Sequence, residues 1–323
     1  MSVIEKLEQN KFHKLIIGAA LKDYQCIEDF AYLFTHAQAD VIDISAFPHS
    51  VISAKKGLSK AIAEKASLTE PLIMISVNIG EDPHFRRVEL NTDSCTECLA
   101  CIPSCPSEAF TNTDNFQYNI DLCFGCSNCL DYCDFDALKF TNWQAFENAS
   151  LNELQKLGAN AIEIHLNNDL EAFADFYINM QTQFKLESFC IGSAQMNERE
   201  LLDACEKIIH AVENKHGKEQ KFIIQTDGNP ISGAIKENND QDQASINNAK
   251  LVIDYIKKKY PEKENLIFLQ LAGGTNEKTL AKAHKQQVPV NGVAIGSYAR
   301  KKINQTNPDE RIITAKKLVS ILN

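Results

Sequence analysis

Eight of the eleven cysteines lie in two short runs, and each run has the form C-x2-C-x2-C-x3-C. Thiols at this density form disulfides in oxidising compartments and hold metal inside cells. The N-terminus lacks the apolar core of a secretory signal, so the spacing favours metal binding. The first run comprises Cys95, Cys98, Cys101 and Cys105, and the second comprises Cys123, Cys126, Cys129 and Cys133.

This spacing is that of bacterial ferredoxins, in which three closely spaced thiolates bind one [4Fe-4S] cluster and the fourth binds the neighbouring cluster. A zinc ribbon and a disulfide knot are the alternatives, because C-x2-C pairs are also typical of zinc sites. Zinc needs only four thiolates per ion and does not require the third spacing, so two iron-sulfur clusters are favoured. The pattern assigns Cys95, Cys98, Cys101 and Cys133 to one cluster, and Cys105, Cys123, Cys126 and Cys129 to the other.

The two runs superimpose at one constant offset, and the match extends beyond the cysteines. Ala109 and Phe110 after the first run correspond to Ala137 and Leu138 after the second. The sequence therefore predicts an internal duplication. One departure is Asp134, which stands where the second run would have its proline. Its negative charge should favour the oxidised cluster.

Short apolar segments, several of them rich in β-branched residues, recur eight times along the chain. Nearly continuous apolar strands are typical of a parallel sheet that is covered on both faces. Stretches with helical periodicity separate them, for example residues 27–37 and 200–214. Eight such β-α units predict a (β/α)8 TIM-like barrel. The predicted strands lie in KLIIGA (from Lys14), DVIDISA (Asp40), LIMISVN (Leu72), AIEIHL (Ala161), FCIGSA (Phe189), KFIIQTDG (Lys221), LIFLQLAGG (Leu266) and GVAIGS (Gly292).

The cysteine runs fall between the third and fourth predicted strands, which indicates a ferredoxin-like 2[4Fe-4S] module inserted into the barrel. Residues 1–85 would form the first part of the barrel, 86–141 the insertion, and 142–323 the second part. Without the insertion about 267 residues remain, close to the roughly 250 typical of such barrels. Because the loops that follow barrel strands lie at the face that carries active sites, we expect the clusters near the barrel mouth.

The loops after the seventh and eighth predicted strands have the composition of a phosphate site. Glycines let backbone amides approach an anion at a helix N-terminus, and a basic residue follows the second loop. The bound group would be flavin mononucleotide (FMN) or a phosphorylated substrate; alternatively, these glycines only make tight turns. The candidate cofactor-binding residues are Gly273, Gly274, Gly296, Ser297 and Arg300.

Polar residues near the ends of other strands suit a pocket at the same face. Asp227 is a candidate general base or hydroxyl ligand, although its Asp-Gly context is also typical of a turn. His84 and Arg86 would attract an anion beside the clusters, or else form a salt-bridged hinge to the insertion. His165 is expected to be a core histidine rather than a catalyst. Other polar strand residues of this kind are Asp43, Asn78, Gln225 and Gln270.

Two further features carry structural expectations only. Cys26, Cys190 and Cys205 lie in predicted helices or strands and are expected to be small buried hydrophobes. The polar stretch at 236–248 is expected to form a long loop, either a surface insertion or a lid over the barrel mouth.

Composition narrows the classes of partner. The net charge of −10 argues against a broad nucleic-acid surface, which needs clustered basic residues. No stretch reaches the roughly 18 uninterrupted apolar residues of a transmembrane helix. The sequence therefore predicts a cytoplasmic protein without an integral membrane segment, whose partners are proteins or small molecules.

Several blocks of the sequence resemble the LdpA (light-dependent period) family of cyanobacterial iron-sulfur proteins. They are KLIIGAALKDYQCIEDFAYLFTHAQADVIDISA (from Lys14), ISVNIGEDPHFRRVEL (from Ile75), the cysteine runs, QTDGNPISG (from Gln225), LQLAGGTNEKTL (from Leu269) and GVAIGSYARK (from Gly292). The resemblance spans nearly the whole chain. It implies a protein that senses cellular redox state through iron-sulfur clusters and conveys it to the circadian clock, with clock proteins as partners.

Two classes of function remain open. In the first, the protein is a redox sensor or electron-transfer adaptor that acts on a redox partner or regulatory protein, and the barrel is largely a scaffold. In the second, it is an oxidoreductase in which electrons pass from the clusters to a flavin or a phosphorylated substrate at the barrel mouth. The resemblance favours the first.

Overall fold

The computed structural model describes residues 1–80, 82–142, 150–192, 196–228 and 242–320, and within them eight parallel strands close into a barrel. Sequential barrel strands are neighbours all the way round, and the last pairs with the first. All eight predicted strands are present, so the TIM-like fold class is confirmed. The strands are β1 (Phe12–Gly18), β2 (Val41–Ser45), β3 (Leu72–Asn78), β8 (Ala161–His165), β9 (Leu186–Ile191), β10 (Phe222–Asp227), β11 (Ile267–Ala272) and β12 (Gly292–Ile295).

Helices cover the outside of the barrel, and several begin at side-chain caps. Asp23 and Asn197 each accept hydrogen bonds from backbone N–H groups of the first helical turn, which would otherwise lack partners. Among the described residues, no helix is both long and apolar enough to cross a bilayer. The helices are α1 (Val3–Glu8), α2 (Tyr24–His36), α3 (Pro48–Glu64), α4 (Leu151–Leu157), α5 (Leu170–Asn179), α6 (Glu198–His216), α7 (Gln243–Lys259), α8 (Thr279–Lys285), α9 (Ser297–Asn304) and α10 (Arg311–Ser320).

The loop expected over 236–248 is shorter than predicted. Its residues up to 241 lie outside the described residues, but α7 already begins at Gln243. Ile246 and Ala249 are buried one turn apart, and Val252 and Ile253 continue the same face. Most polar residues from Gln243 onward therefore belong to the solvent face of an amphipathic helix, and the prediction of a loop was wrong for 243–248.

The barrel interior changes character along its axis. At the end where the strands begin, Phe12, Val41, Met74 and Phe268 form part of an apolar cluster to which Leu7 of α1 belongs. Towards the mouth, the buried side chains become polar or charged. Branched apolar residues usually fill such barrels, so a polar upper interior indicates a site rather than simple packing. The buried polar residues of the upper interior are Lys14, Asp43, Ser76, Glu163, His165, Ser188, Gln225, Asp227 and Gln270.

The cysteine module follows β3 and is built from two interlocked halves. It contains β4 (Arg86–Leu90), β5 (Phe110–Asn112), β6 (Phe116–Tyr118) and β7 (Leu138–Asn142). The first strand, β4, pairs with the last, β7, and β5 pairs with β6, both antiparallel. The constant offset between the two cysteine runs maps each strand pair onto the other in register.

The backbone repeats at the same offset. Left-handed conformations occur at Glu97, Leu99 and Glu108 in the first half, and at the equivalent residues Gly125, Ser127 and Asp136 in the second. Non-glycine residues adopt positive φ only when the surrounding structure requires it. Three such pairs at one spacing therefore show that both cysteine runs follow the same path.

Candidate iron-sulfur centre and barrel mouth

The first predicted set of thiols lies around one small pocket in the module. Cys98 is exposed, and the other three cysteines are partly exposed. The side chains of Tyr132 and Phe135 belong to the same wall and are 59% and 47% exposed. This set therefore lies close to solvent. The cysteines around the pocket are Cys95, Cys98, Cys101 and Cys133, the last of which comes from the second run.

The second predicted set lies deeper. Cys123 and Cys129 are buried in the core of the module together with Val88 and Phe110. Cys105 from the first run is close enough to the thiols of Cys126 and Cys129 to affect the pKa of each. The structure therefore brings together both predicted sets of four, each with one cysteine contributed by the other run.

The surroundings of the sulfurs suit a bound metal cluster. Burial, together with the neighbouring thiols, raises the pKa of Cys101 and Cys126 to about 11 and that of Cys129 to about 12. Four thiolates can share so small a space only with positive charge among them, which the irons of a cluster supply. Backbone N–H groups of Val88 and Gly125 donate to Cys123 Sγ at 3.5 and 3.4 Å. Such hydrogen bonds help to set cluster potentials.

The deeper set adjoins the barrel mouth. Phe124, between Cys123 and Gly125, lines the central cavity of the barrel, and the Arg300 guanidinium lies 5.4 Å from the centre of its ring. Gly125 has φ +72°, and a Cβ there would come within 2.4 Å of the Arg86 carbonyl oxygen. The backbone after Cys123 is therefore pressed against the start of the module, and only glycine fits.

Two cations converge on Asp121, one from the module itself and one from the barrel. The Arg87 side chain is buried and donates to the Ile120 carbonyl at 2.9 Å and to Asp121 at 3.3 Å. Lys22, in the loop after β1, lies 3.6 Å from the same Asp121 carboxylate. These contacts place the 3₁₀ turn that precedes Cys123 against the first loop of the barrel.

The cavity at the mouth has a volume of about 100 Å³, and all five residues of the predicted phosphate site line it. Gly273 has φ +73°, and a Cβ there would come within 1.7 Å of Asp227 Oδ1, so this position requires glycine. Gly296 has no comparable constraint. The described part of the cavity has room for a small anion such as a phosphate group.

The other candidate residues divide between cavity and surroundings. His84, Asp227 and His165 line the cavity, as do Asp43 and Gln225. Arg86 is not among the lining residues, and its guanidinium lies over the Phe140 ring at 5.5 Å. Asn78 and Gln270 also lie outside the lining, where Asn78 donates to the Gly80 carbonyl at 2.6 Å. Cys190 and Cys205 are buried, and Cys26 is partly buried.

A buried lysine occupies the centre of the polar interior. Lys14 Nζ lies 3.3 Å from Asp43 Oδ2 and also pairs with Glu163. Burial acts to lower the pKa of Lys14, but Glu163 and Asp43 outweigh it, so its pKa is raised and the ammonium stays charged. Burial raises the pKa of Asp43 to about 6 against the opposing effect of Lys14, and Ser76 donates to this carboxylate at 2.7 Å.

A chain of histidines and carboxylates continues from the lysine to the mouth. Glu163 lies 3.3 Å from His165, which lies 3.5 Å from Asp82. Asp82 lies 2.9 Å from His84, which lies 3.4 Å from Asp227. Burial raises the pKa of Asp227. For Asp82 the effect of burial is outweighed by the two histidines, which hold its pKa well below the usual value.

Sequence reasoning missed four residues of this site: Lys14, Asp82, Glu163 and Phe124. Lys14 and Glu163 lie within KLIIGA and AIEIHL, whose apolar residues alone are enough to predict strands. A charge inside a strand that is buried on both faces is costly unless it is paired. Lys14, Asp43 and Glu163 lie in three different predicted barrel strands. Their need for oppositely charged partners indicates that their side chains meet inside the barrel.

Comparison with known proteins identifies both parts of the chain. Residues 153–318 match the model of the light dependent period A C-terminal domain, and residues 88–111 match that of the 4Fe-4S binding domain. The protein named Light dependent period A from Synechococcus elongatus is 33% identical over 310 residues, which cover 92% of this chain and 82% of that protein.

Two solved structures are similar in fold only. An aldolase named QR15 has a TM-score of 0.45 at 12% identity, with 99% of this chain and 97% of that chain covered. A truncated 3-deoxy-D-arabino-heptulosonate 7-phosphate synthase from Thermotoga maritima has a TM-score of 0.43 at 10% identity, with 96% and 84% covered. Similarities this weak carry no information about activity.

Proposed function

The chain belongs to the light dependent period A family and carries a 4Fe-4S binding motif, and on that premise we propose that it is a two-cluster electron-transfer protein that reports redox state to a partner. The observation that carries this proposal is the assembly of eight cysteines into two sets of four, each completed by the opposite run. Such exchange of the fourth ligand is characteristic of two-cluster ferredoxins.

The ligands follow from these sets. Cys95, Cys98, Cys101 and Cys133 would hold the cluster nearer to solvent. Cys105, Cys123, Cys126 and Cys129 would hold the deeper one. When bound, the clusters supply one-electron storage at two neighbouring positions.

The exposed edge of the module is where a partner would exchange electrons. Cys98, Tyr132 and Phe135 expose sulfur and aromatic surface at the pocket of the first set. An added electron changes the charge at this edge, and a change of charge alters the affinity of a docked protein. The name of the Synechococcus relative refers to a light-dependent period. We therefore include proteins of the circadian clock among the proposed partners.

A second candidate function is that of an oxidoreductase. The observation that favours it is the position of Phe124, which adjoins Cys123 and also lines the barrel cavity. Gly274, Ser297 and Arg300 would bind an anionic group of the substrate, and Asp227 would act as a general base that exchanges a proton with the substrate. Visible absorption of protein purified without oxygen separates the two functions. Resolved flavin peaks above the broad iron-sulfur band favour the enzyme, and their absence favours the electron carrier.

Cysteine substitutions test the ligand sets. Cys133→Ser and Cys105→Ser should each lower iron content by about half, because each removes one ligand from a different cluster. Cys205→Ser is the matched control, since Cys205 is buried in α6 outside the module and should leave iron unchanged. Equal iron in all three variants would remove the assignment.

A further inference from the structure

A compact group of two histidines and one carboxylate stands at the barrel mouth, outside the cysteine module. Ligand atoms of Asp82, His84 and His165 all lie within 4.8 Å of one another. His84 belongs to the 3₁₀ turn Pro83–Phe85 just after β3, and His165 ends β8, which pairs directly with β3. Asp82 caps that turn by accepting from the His84 N–H at 2.7 Å. Neighbouring strand ends thus hold all three groups.

Both histidines present the same ring nitrogen to Asp82. The Nδ1 atoms of His84 and His165 lie 2.9 and 3.5 Å from its two carboxylate oxygens. The opposite nitrogens face other carboxylates, with His84 Nε2 3.4 Å from Asp227 and His165 Nε2 3.3 Å from Glu163. Histidines that bind metal commonly donate their second N–H to a carboxylate in this way, which fixes the ring and its tautomer.

An independent observation points to a missing ligand. His165 is only 4% exposed, yet its Nδ1 has a long 3.5 Å contact with Asp82 and no well-formed hydrogen bond among the described residues. A buried ring nitrogen with so weak a contact is costly, because it has lost its hydrogen bonds to water. A cation between the two Nδ1 atoms and the Asp82 carboxylate would complete its coordination.

We propose that Asp82, His84 and His165 bind one divalent transition metal, a site distinct from both iron-sulfur clusters. Two imidazoles and one carboxylate are the ligands of many catalytic zinc sites and of mononuclear iron(II) sites, and they leave coordination positions open. His84 and His165 line the cavity, so those positions would open into it, opposite the candidate phosphate-binding residues. The site does not depend on the proposed electron transfer.

Zinc uptake by the cluster-containing protein tests the site. The protein is treated with a chelator, incubated with Zn²⁺ alone and desalted, and its zinc and iron are then measured. About one zinc per chain is expected, with iron unchanged. His84→Gln and His165→Gln should each abolish retention.

The matched control is His216→Gln. His216 lies 3.4 Å from Glu187, and its Nε2 also lacks a hydrogen bond among the described residues, but no second histidine joins this pair. This variant should retain zinc as the wild type does. No retained zinc in the wild type, equal retention in all variants, or zinc uptake matched by loss of iron would overturn the proposal.

Asp82→Asn tests the site in a variant that should still fold, because its amide oxygen can accept the same capping hydrogen bond from the His84 N–H. Zn²⁺ should raise the melting temperature of the wild type and of His216→Gln but not that of Asp82→Asn, since ligand binding stabilises only the state that binds. An equal shift in Asp82→Asn would contradict the site.

Discussion

At the scale of single residues, the molecule buries charge where a barrel usually buries hydrocarbon. Lys14 has no exposed surface and depends on Asp43 and Glu163 for compensation. A buried ion pair contributes little net stability compared with a well-packed apolar core, but removing one member leaves the others uncompensated. A charged cluster in the barrel interior is therefore better explained by a site than by a contribution to stability.

Lys14→Met should destabilise the fold by about 3–5 kcal/mol, because it leaves the buried carboxylates of Asp43 and Glu163 without their cationic partner. Urea unfolding followed by circular dichroism measures the change. The double variant Lys14→Met with Glu163→Gln should recover part of the loss, since one of the stranded charges is gone. A double variant no more stable than Lys14→Met would contradict the pairing.

His13 makes stability depend on pH. Burial, and then Lys6, lower the pKa of this histidine from 6.5 to about 3. Between these values the unfolded chain binds a proton that the folded chain does not, so stability falls as pH falls below 6.5, by about 1.4 kcal/mol per pH unit.

His13→Leu removes this proton uptake. Relative to the wild type, the variant should therefore gain about 1.4 kcal/mol between pH 7.5 and pH 5.5. Urea unfolding at the two pH values measures the difference. Parallel losses of stability in the two proteins would show that His13 does not titrate in this range.

At the scale of elements, the duplicated module shows what spacing predicts and what it does not. The cysteine pattern predicts the offset between the two halves, and the strand pairs β4–β7 and β5–β6 obey it. The left-handed backbone positions of the module could not be predicted. Glycine is the usual sequence signal for such positions, and among the described left-handed residues of the module only Gly125 is a glycine. Similarly, apolar runs predicted the eight barrel strands, but the start of α7 was hidden by its polar solvent face.

Gly125→Ala should destabilise the module. The new Cβ meets the Arg86 carbonyl oxygen at 2.4 Å on a backbone with φ +72°. Glu97→Gly is the matched change at the equivalent position, where φ is already +52°, and it should be neutral or slightly stabilising. Iron retained after mild heating should fall in Gly125→Ala only. Equal losses in both variants would show that the contact with Arg86 is unimportant.

At the scale of the whole molecule, the cysteine module lies against the mouth of the barrel, where its Phe124 lines the cavity. Lys22 and Arg300 of the barrel contact Asp121 and Phe124, which flank Cys123 of the deeper thiol set. The other thiol set lies towards solvent. The exposed thiol set, the buried thiol set and the polar barrel cavity therefore follow one another from solvent towards the barrel.

Of the site residues that sequence reasoning missed, Lys14 and Glu163 lie in different barrel strands, and closure of the barrel brings them together. Asp82 lies in the loop after β3 and Phe124 in the module, and both reach the site only in the folded chain.

The proposed function requires this chain to hold two [4Fe-4S] clusters, each bound by three cysteines of one run and one cysteine of the other. The most direct measurement combines iron and acid-labile sulfide counts with electron paramagnetic resonance of the dithionite-reduced protein. We expect about eight irons and eight sulfides per chain, and a signal broadened by coupling between two reduced clusters. About four irons with one uncoupled signal, or zinc in place of iron, would contradict the proposal.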